Sequence, residues 1–148
     1  MNPYKYKISV RLEHPFLDLA EIKQRVIKLL PDANFGEVIT AGKEIITKAG
    51  KETGSRYGKS FFNFSFSNES YNSESKNLEK AIRKILDKLA PCRELFNKLA
   101  EENISKILFA GIFLDKNSGI IFNSELIHEL DEFGMEIQLD IYPPEKDE

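Results

Sequence analysis

Tyr4-Lys5-Tyr6-Lys7-Ile8-Ser9-Val10-Arg11-Leu12-Glu13 alternates apolar and polar side chains without a break. Successive side chains of a strand point to opposite faces. The two tyrosines, Ile8, Val10 and Leu12 therefore share one face, and the lysines, Ser9, Arg11 and Glu13 the other. The pattern predicts a half-buried strand, closed by His14-Pro15.

Two further stretches alternate in the same way. Ser60 to Ser67 sets Phe62, Phe64 and Phe66 against Phe61, Asn63, Ser65 and Ser67. Met135 to Tyr142 sets Met135, Ile137, Leu139 and Ile141 against Glu136, Gln138, Asp140 and Tyr142. Ile107 to Leu114 is apolar on both sides, which predicts a central strand covered on both faces or nearly so. Helical spacing fills the intervals. Asp18-x-x-Glu21 reads as a capping box opening a helix with Leu19, Ile22, Val26, Leu29 and Leu30 on its stripe, stopped by Pro31. Leu78, Ile82, Ile85, Leu86 and Leu89 predict a second helix. Pro91 breaks it, and Cys92 to Glu102 continues it. Ser124 is the expected cap of a third, with Leu126, Ile127, Leu130 and Phe133 inward and Gly134 at its end. Asn34 to Gly58, rich in Gly and Lys, predicts a weak strand or hairpin and a loop. The polar run Asn68 to Asn77 predicts another loop.

This order predicts an α+β fold with a single mainly antiparallel or mixed sheet and helices packed on one side. It reads as a ferredoxin-like β-α-β-β-α-β core followed by a C-terminal α-β unit. The 148 residues, 41% hydrophobic and 30% charged, suit one domain over 1–148. One cysteine, Cys92, allows no intrachain disulfide and favours a reducing compartment. The opening residues lack the apolar stretch of a signal peptide, and an eight-residue apolar run is too short for a bilayer. A cytoplasmic location is expected, with no membrane partner.

Net charge is −3 but unevenly spread: residues 1–98 hold 18 basic against 12 acidic side chains, and residues 99–148 hold 3 against 12. From Ser124 onward there are nine acids (Glu125, Glu129, Asp131, Glu132, Glu136, Asp140, Glu145, Asp147 and Glu148) and one base, Lys146.

The chemical motifs are weak. Gly54-Ser55-Arg56-Tyr57-Gly58-Lys59-Ser60 has three residues between its glycines where a phosphate loop needs four, and it precedes a strand instead of a helix. His128-Glu129-Leu130-Asp131-Glu132 carries Glu132 where a zinc-protease helix needs its second histidine, and His14 is the only other histidine. No metal site or cofactor is expected. Cys92 has no base near it in sequence, so it reads as a structural thiol, and no catalytic residue is assigned. Lys43, Lys48, Lys51, Arg56 and Lys59 surround Tyr57, but the chain as a whole is acidic, so nucleic acid is not expected.

The opening strand Tyr6 to Leu12, the helix at Asp18-Leu19-Ala20-Glu21-Ile22, and the ending Glu125 to Leu130, Phe133-Gly134 and Ile137 to Tyr142 resemble a bacterial family. It is catalogued as domain of unknown function 4279. That family often has Trp where this chain has Phe61 or Phe62. The resemblance implies the fold and brings no activity or catalytic residue.

The functional expectation is a non-enzymatic binding protein, immunity- or antitoxin-like. Its acidic C-terminal face, with Glu129, Asp131, Glu132, Glu136 and Asp140, would dock a basic protein or a second copy of the chain. The alternative is a small enzyme or ligand-binding domain with its site near the Gly/Lys-rich loop 42–60, drawing on Cys92, His14 or His128.

Overall fold

The alternating N-terminal stretch forms β1 (Tyr4–His14) and sits in the middle of a six-stranded sheet. The structure is a computed structural model that describes residues 2–67 and 69–144. Asn68 and the acidic-tail residues Glu145, Lys146, Asp147 and Glu148 lie outside the described residues. After β1 come α1 (Ala20–Leu29), β2 (Asn34–Phe35), β3 (Glu44–Ile46), β4 (Glu52–Arg56), β5 (Ser60–Ser65), β6 (Tyr71–Asn72) and α2 (Leu78–Leu89). Then follow α3 (Arg93–Leu99), β7 (Ser105–Leu114), α4 (Ser124–Glu132) and β8 (Met135–Tyr142).

The sheet order is β2-β5-β1-β7-β8, with β6 pairing the start of β1. β1 runs antiparallel to β5 and β7, and β8 runs parallel to β7 after the α4 crossover. The four long strands legible in the sequence thus lie in one mixed sheet. β3 and β4 pair only with each other, so the Gly/Lys-rich stretch is an exposed hairpin.

The apolar face of β1 meets Phe62 and Phe64 of β5, Leu108, Ala110 and Ile112 of β7, and the buried stripes of all four helices in one core. Each large side chain taken from water here contributes roughly 1.5–3 kcal/mol. Two tyrosines of β1 also hold the start of α2. The Tyr6 hydroxyl donates to the Lys76 carbonyl at 2.6 Å, and the Tyr4 hydroxyl accepts from the Leu78 amide at 3.1 Å. Asn77 caps the helix by accepting from the Lys80 amide.

The structure corrects several expectations. Along α1 the buried stripe advances in steps of four, Ile22, Val26 and Leu30. Leu29, the last helical residue, falls at the outer edge of that stripe, about 60° from Val26, and is exposed. Ile127 departs from the Leu126–Leu130 stripe of α4 for the same reason. The cap of α4 is Asn123, whose side chain accepts from the Leu126 amide, and Ser124 is the first helical residue. Asp18 accepts from the Ala20 amide, two residues on, and closes no capping box. Cys92 belongs to a 3-10 turn at Ala90–Cys92, because Pro91 cannot supply an amide. α3 is correspondingly short and ends before Asn103 in a left-handed conformation (φ 59°).

The largest correction concerns β7. It is the neighbour of β1 on one side and β8 on the other, but helices cover only one of its faces. No helix packs on its other face, where Ile107 and Gly111 are still buried, Phe109 is half-buried and Phe113 is 42% exposed.

Candidate functional site

On the open face the register aligns three strands into rows. Lys5, Phe113 and Tyr142 form one row, and Lys7, Gly111 and Asp140 the next. Ser9, Phe109 and Gln138 form the third, and Arg11, Ile107 and Glu136 the fourth. Read along the strands, the face has a cationic lane on β1, an apolar lane on β7 and an anionic lane on β8.

Local chemistry fixes each lane. The Tyr142 ring stacks on Phe113, with centroids 4.9 Å apart and planes 10° from parallel. Gly111 supplies the room for this: a Cβ there would touch the Tyr142 ring at 3.7 Å. A shallow groove of about 360 Å³ follows, lined by Lys7, Ser9, Phe109, Gly111, Phe113 and Tyr142. Arg11 is held more tightly. Its Nε donates to Asn63 Oδ1 at 2.8 Å, and its guanidinium lies 4.4 Å from the Phe61 ring centroid. Phe61 is therefore the open-face residue and Phe62 the core residue, with Phe62 opposite Leu12 and Phe61 opposite Glu13. Lys7, Glu136 and Asp140 have no ion-pair partner among the described residues.

The five acids singled out in the sequence do not form one face. Glu136 and Asp140 lie on the open side of β8, because Met135, Ile137 and Leu139 turn to the core. Glu129, Asp131 and Glu132 lie on α4, in the helix layer on the opposite side. Two of those three are engaged within the chain. Arg83 of α2 donates to Glu129 at 3.1 Å and to Asn123 at 3.0 Å, and pairs with Glu79 and Glu125. Arg93 donates to Glu132 at 2.8 Å, and His128 pairs with the same carboxylate at 3.1 Å. Asp131 is exposed.

The residues weighed for chemistry are spread over separate elements. Cys92 is fully buried, and burial pushes its thiol up to about 11, far from a reactive thiolate at neutral pH. His14 is buried at the end of β1, where its Nδ1 accepts from the amides of Phe16 and Leu17 and shapes the turn. His128 is exposed on α4. The phosphate-loop look-alike runs from β4 into β5, two strands, so no helix N-terminus stands behind it. Among the described residues no three His, Cys, Asp or Glu side chains gather as a metal site requires.

One buried cation escaped sequence reading. Lys106 of β7 points into the core, and its ammonium donates to the Phe96 carbonyl at 3.1 Å, near the C-terminus of α3. Burial holds it below its ordinary value, against the opposing pull of Glu136. A lysine with its tip tied to the end of a helix is a structural cap. Its alternation with Leu108, Ala110 and Ile112, the core-facing positions of β7, was the available signal.

Residues 5–144 match the model of a family described as a domain of unknown function (DUF4279). The chain belongs to this family. The match covers both lanes of charge, β7 between them and the helix layer, so the open face falls wholly within the family's domain. No curated protein and no solved structure matches the chain.

Proposed function

We propose that the chain is a binding module that engages a macromolecular partner through the open face of its sheet, with Glu136 and Asp140 as its acidic contacts. The observation that carries this reading is the uncovered strip of β7. Phe113 is 42% and Tyr142 47% exposed at the C-terminal ends of β7 and β8, next to the row that holds Lys7 and Asp140, which have no ion-pair partner among the described residues. Exposed aromatics rimmed by charge are the usual composition of a docking patch. The carboxylates of α4 are a weaker candidate, since Arg83 and Arg93 already neutralise much of that surface. The single thiol, buried and unactivated, suits a reducing, cytoplasmic setting.

No helix among the described residues is long and apolar enough to cross a membrane. The test is site-specific photocrosslinking in cells that make the protein. A photoreactive amino acid replaces Phe113 on the open face or Ile127 on α4. Adducts from position 113 and not from 127 are expected. Adducts only from 127, or none from 113, would overturn the reading.

A further inference from the structure

We infer that the partner of the open face is a second copy of this chain, stacked face to face about a two-fold axis running along β7. This rests on the binding reading above and gives the site an occupant. Symmetry and charge together select this occupant. The open face carries Lys5, Lys7 and Arg11 on β1, and Glu136 and Asp140 on β8, on either side of β7. A two-fold axis along β7 keeps every residue in its row and exchanges the two sides. β1 of one copy then lies over β8 of the other.

Row by row the opposed groups match. Lys5 faces Tyr142, Lys7 faces Asp140, Ser9 faces Gln138 and Arg11 faces Glu136. These are a cation over an aromatic ring, an ion pair, a hydrogen-bonding pair, and Glu136 beside an Arg11 that its own chain already ties to Asn63 and Glu13. Between them Phe109 and Phe113 of the two β7 strands close an apolar seam. A two-fold axis across the strands would instead set β1 on β1 and β8 on β8, like charge on like. Stacked sheets pack about 10 Å apart and within about 30° of alignment, a gap that two long charged side chains span from either side.

Other occupants fit less well. A polyanion would be repelled by Glu136 and Asp140. An edge-to-edge pairing of β8 with β8 would place those same acids against their own kind. Within one chain Lys7 and Asp140 stand two strands apart, about 10 Å, and form no ion pair. A second copy supplies the complement of each. Three strands over this length offer roughly 400–500 Å² per copy, at the small end of specific interfaces, so a reversible micromolar dimer is the expected scale.

The deciding experiment uses the full chain in sedimentation equilibrium, with Lys7→Glu and Asp140→Lys variants. Both positions flank Gly111 on the open face, and thermal unfolding of each variant confirms that it folds. Each variant alone places like charges across the axis and should lose about ten-fold or more in self-association. An equimolar mixture sets Glu on Lys and Asp on Lys at both contacts, and should restore a heterodimer to within about three-fold of the wild-type constant. Wild-type protein that stays monomeric at several hundred micromolar (about 10 times the upper expected constant) overturns the inference. So does self-association that both variants leave unchanged, or a mixture no stronger than its components. Crosslinks from position 113 to a different protein would sink the self-association and leave the binding reading standing. No crosslinks there would sink both.

Discussion

On the covered face of β7, Leu108, Ala110 and Ile112 have apolar neighbours on every adjoining strand: Val10, Ile8 and Tyr6 on one side, Ile137, Leu139 and Ile141 on the other. On the open face, Phe109 and Phe113 of the same strand are flanked by Ser9 and Lys5, and by Gln138 and Tyr142. The first face continues across the sheet and the second is a single stripe. A helix layer can shield only a continuous apolar surface at a profit, because charged side chains under it would each lose several kcal/mol of hydration. The composition of one strand does not say which of its faces is covered. The flanking strands decide it.

Single substitutions on the two faces test this difference. Phe62→Ala, on the covered face, is expected to cost about 3–5 kcal/mol of unfolding free energy in urea, through lost transfer and the cavity left behind. A loss under about 1 kcal/mol would mean that this face is not tightly packed. The buried thiol gives a second handle on the same side. Cys92 is raised to about 11 in the folded chain, above its unfolded value of 9.0. Its contribution is therefore fully present below pH 9 and is lost as pH rises toward 11, about 2 kcal/mol across the window. Tyr6, raised to about 12 from 10.0, adds a similar loss only above pH 10. Between pH 9 and 10, Cys92→Ala should therefore show a flatter stability profile than the wild type. Parallel profiles would put the thiol in contact with water.

His14→Leu removes the acceptor of two backbone amides and should cost about 1–2 kcal/mol by thermal unfolding. His14→Asn, which keeps a side-chain acceptor at nearly the same reach, should recover part of it. Arg83→Met unties α2 from α4 at a half-buried site. About 1 kcal/mol is the expected loss, shrinking at high salt. Phe113→Ser, measured on dilute monomer, should cost about 1 kcal/mol, through the lost stack on Tyr142. A loss at Phe113 approaching that at Phe62 would erase the distinction between the two faces.

Much of this was written in the local sequence, and the rest was not for identifiable reasons. Alternation at Tyr4–Glu13, Ser60–Ser67 and Met135–Tyr142 locates three strands, because one buried face imposes a period of two. β6 passes below notice, and β2 and the β3–β4 hairpin show only as an unplaced weak strand or hairpin within Asn34 to Gly58, since two to five mostly exposed residues carry no period. Helix caps shift by one residue where two polar side chains stand together, as at Asn123-Ser124. The acidic count near the C-terminus is visible in the sequence, and its meaning is not. Glu129 and Glu132 find Arg83 and Arg93 some forty residues earlier in the chain, whereas Glu136 and Asp140 leave on the other side of the sheet. The open face was hidden in plain hydrophobicity: Ile107 to Leu114 reads as a doubly buried strand until the charges of β1 and β8 are laid beside it.

Among the described strands β1 leaves the ribosome first, and both β5 and β7 must wait to pair with it. It pairs with β5 some fifty residues later and with β7 about a hundred residues later, Tyr4 lying against Leu114. Pairings this distant in sequence close large loops before they return any contact energy, which places folding in the slow range of small domains, milliseconds to seconds. During synthesis the strand's β7-facing edge stays unsatisfied until residue 114 has emerged, while α1 and α2 can already form behind it. The same lysines that mark the cationic lane, Lys5 and Lys7, alternate along that waiting edge. Their like charge opposes the pairing of one exposed β1 with another.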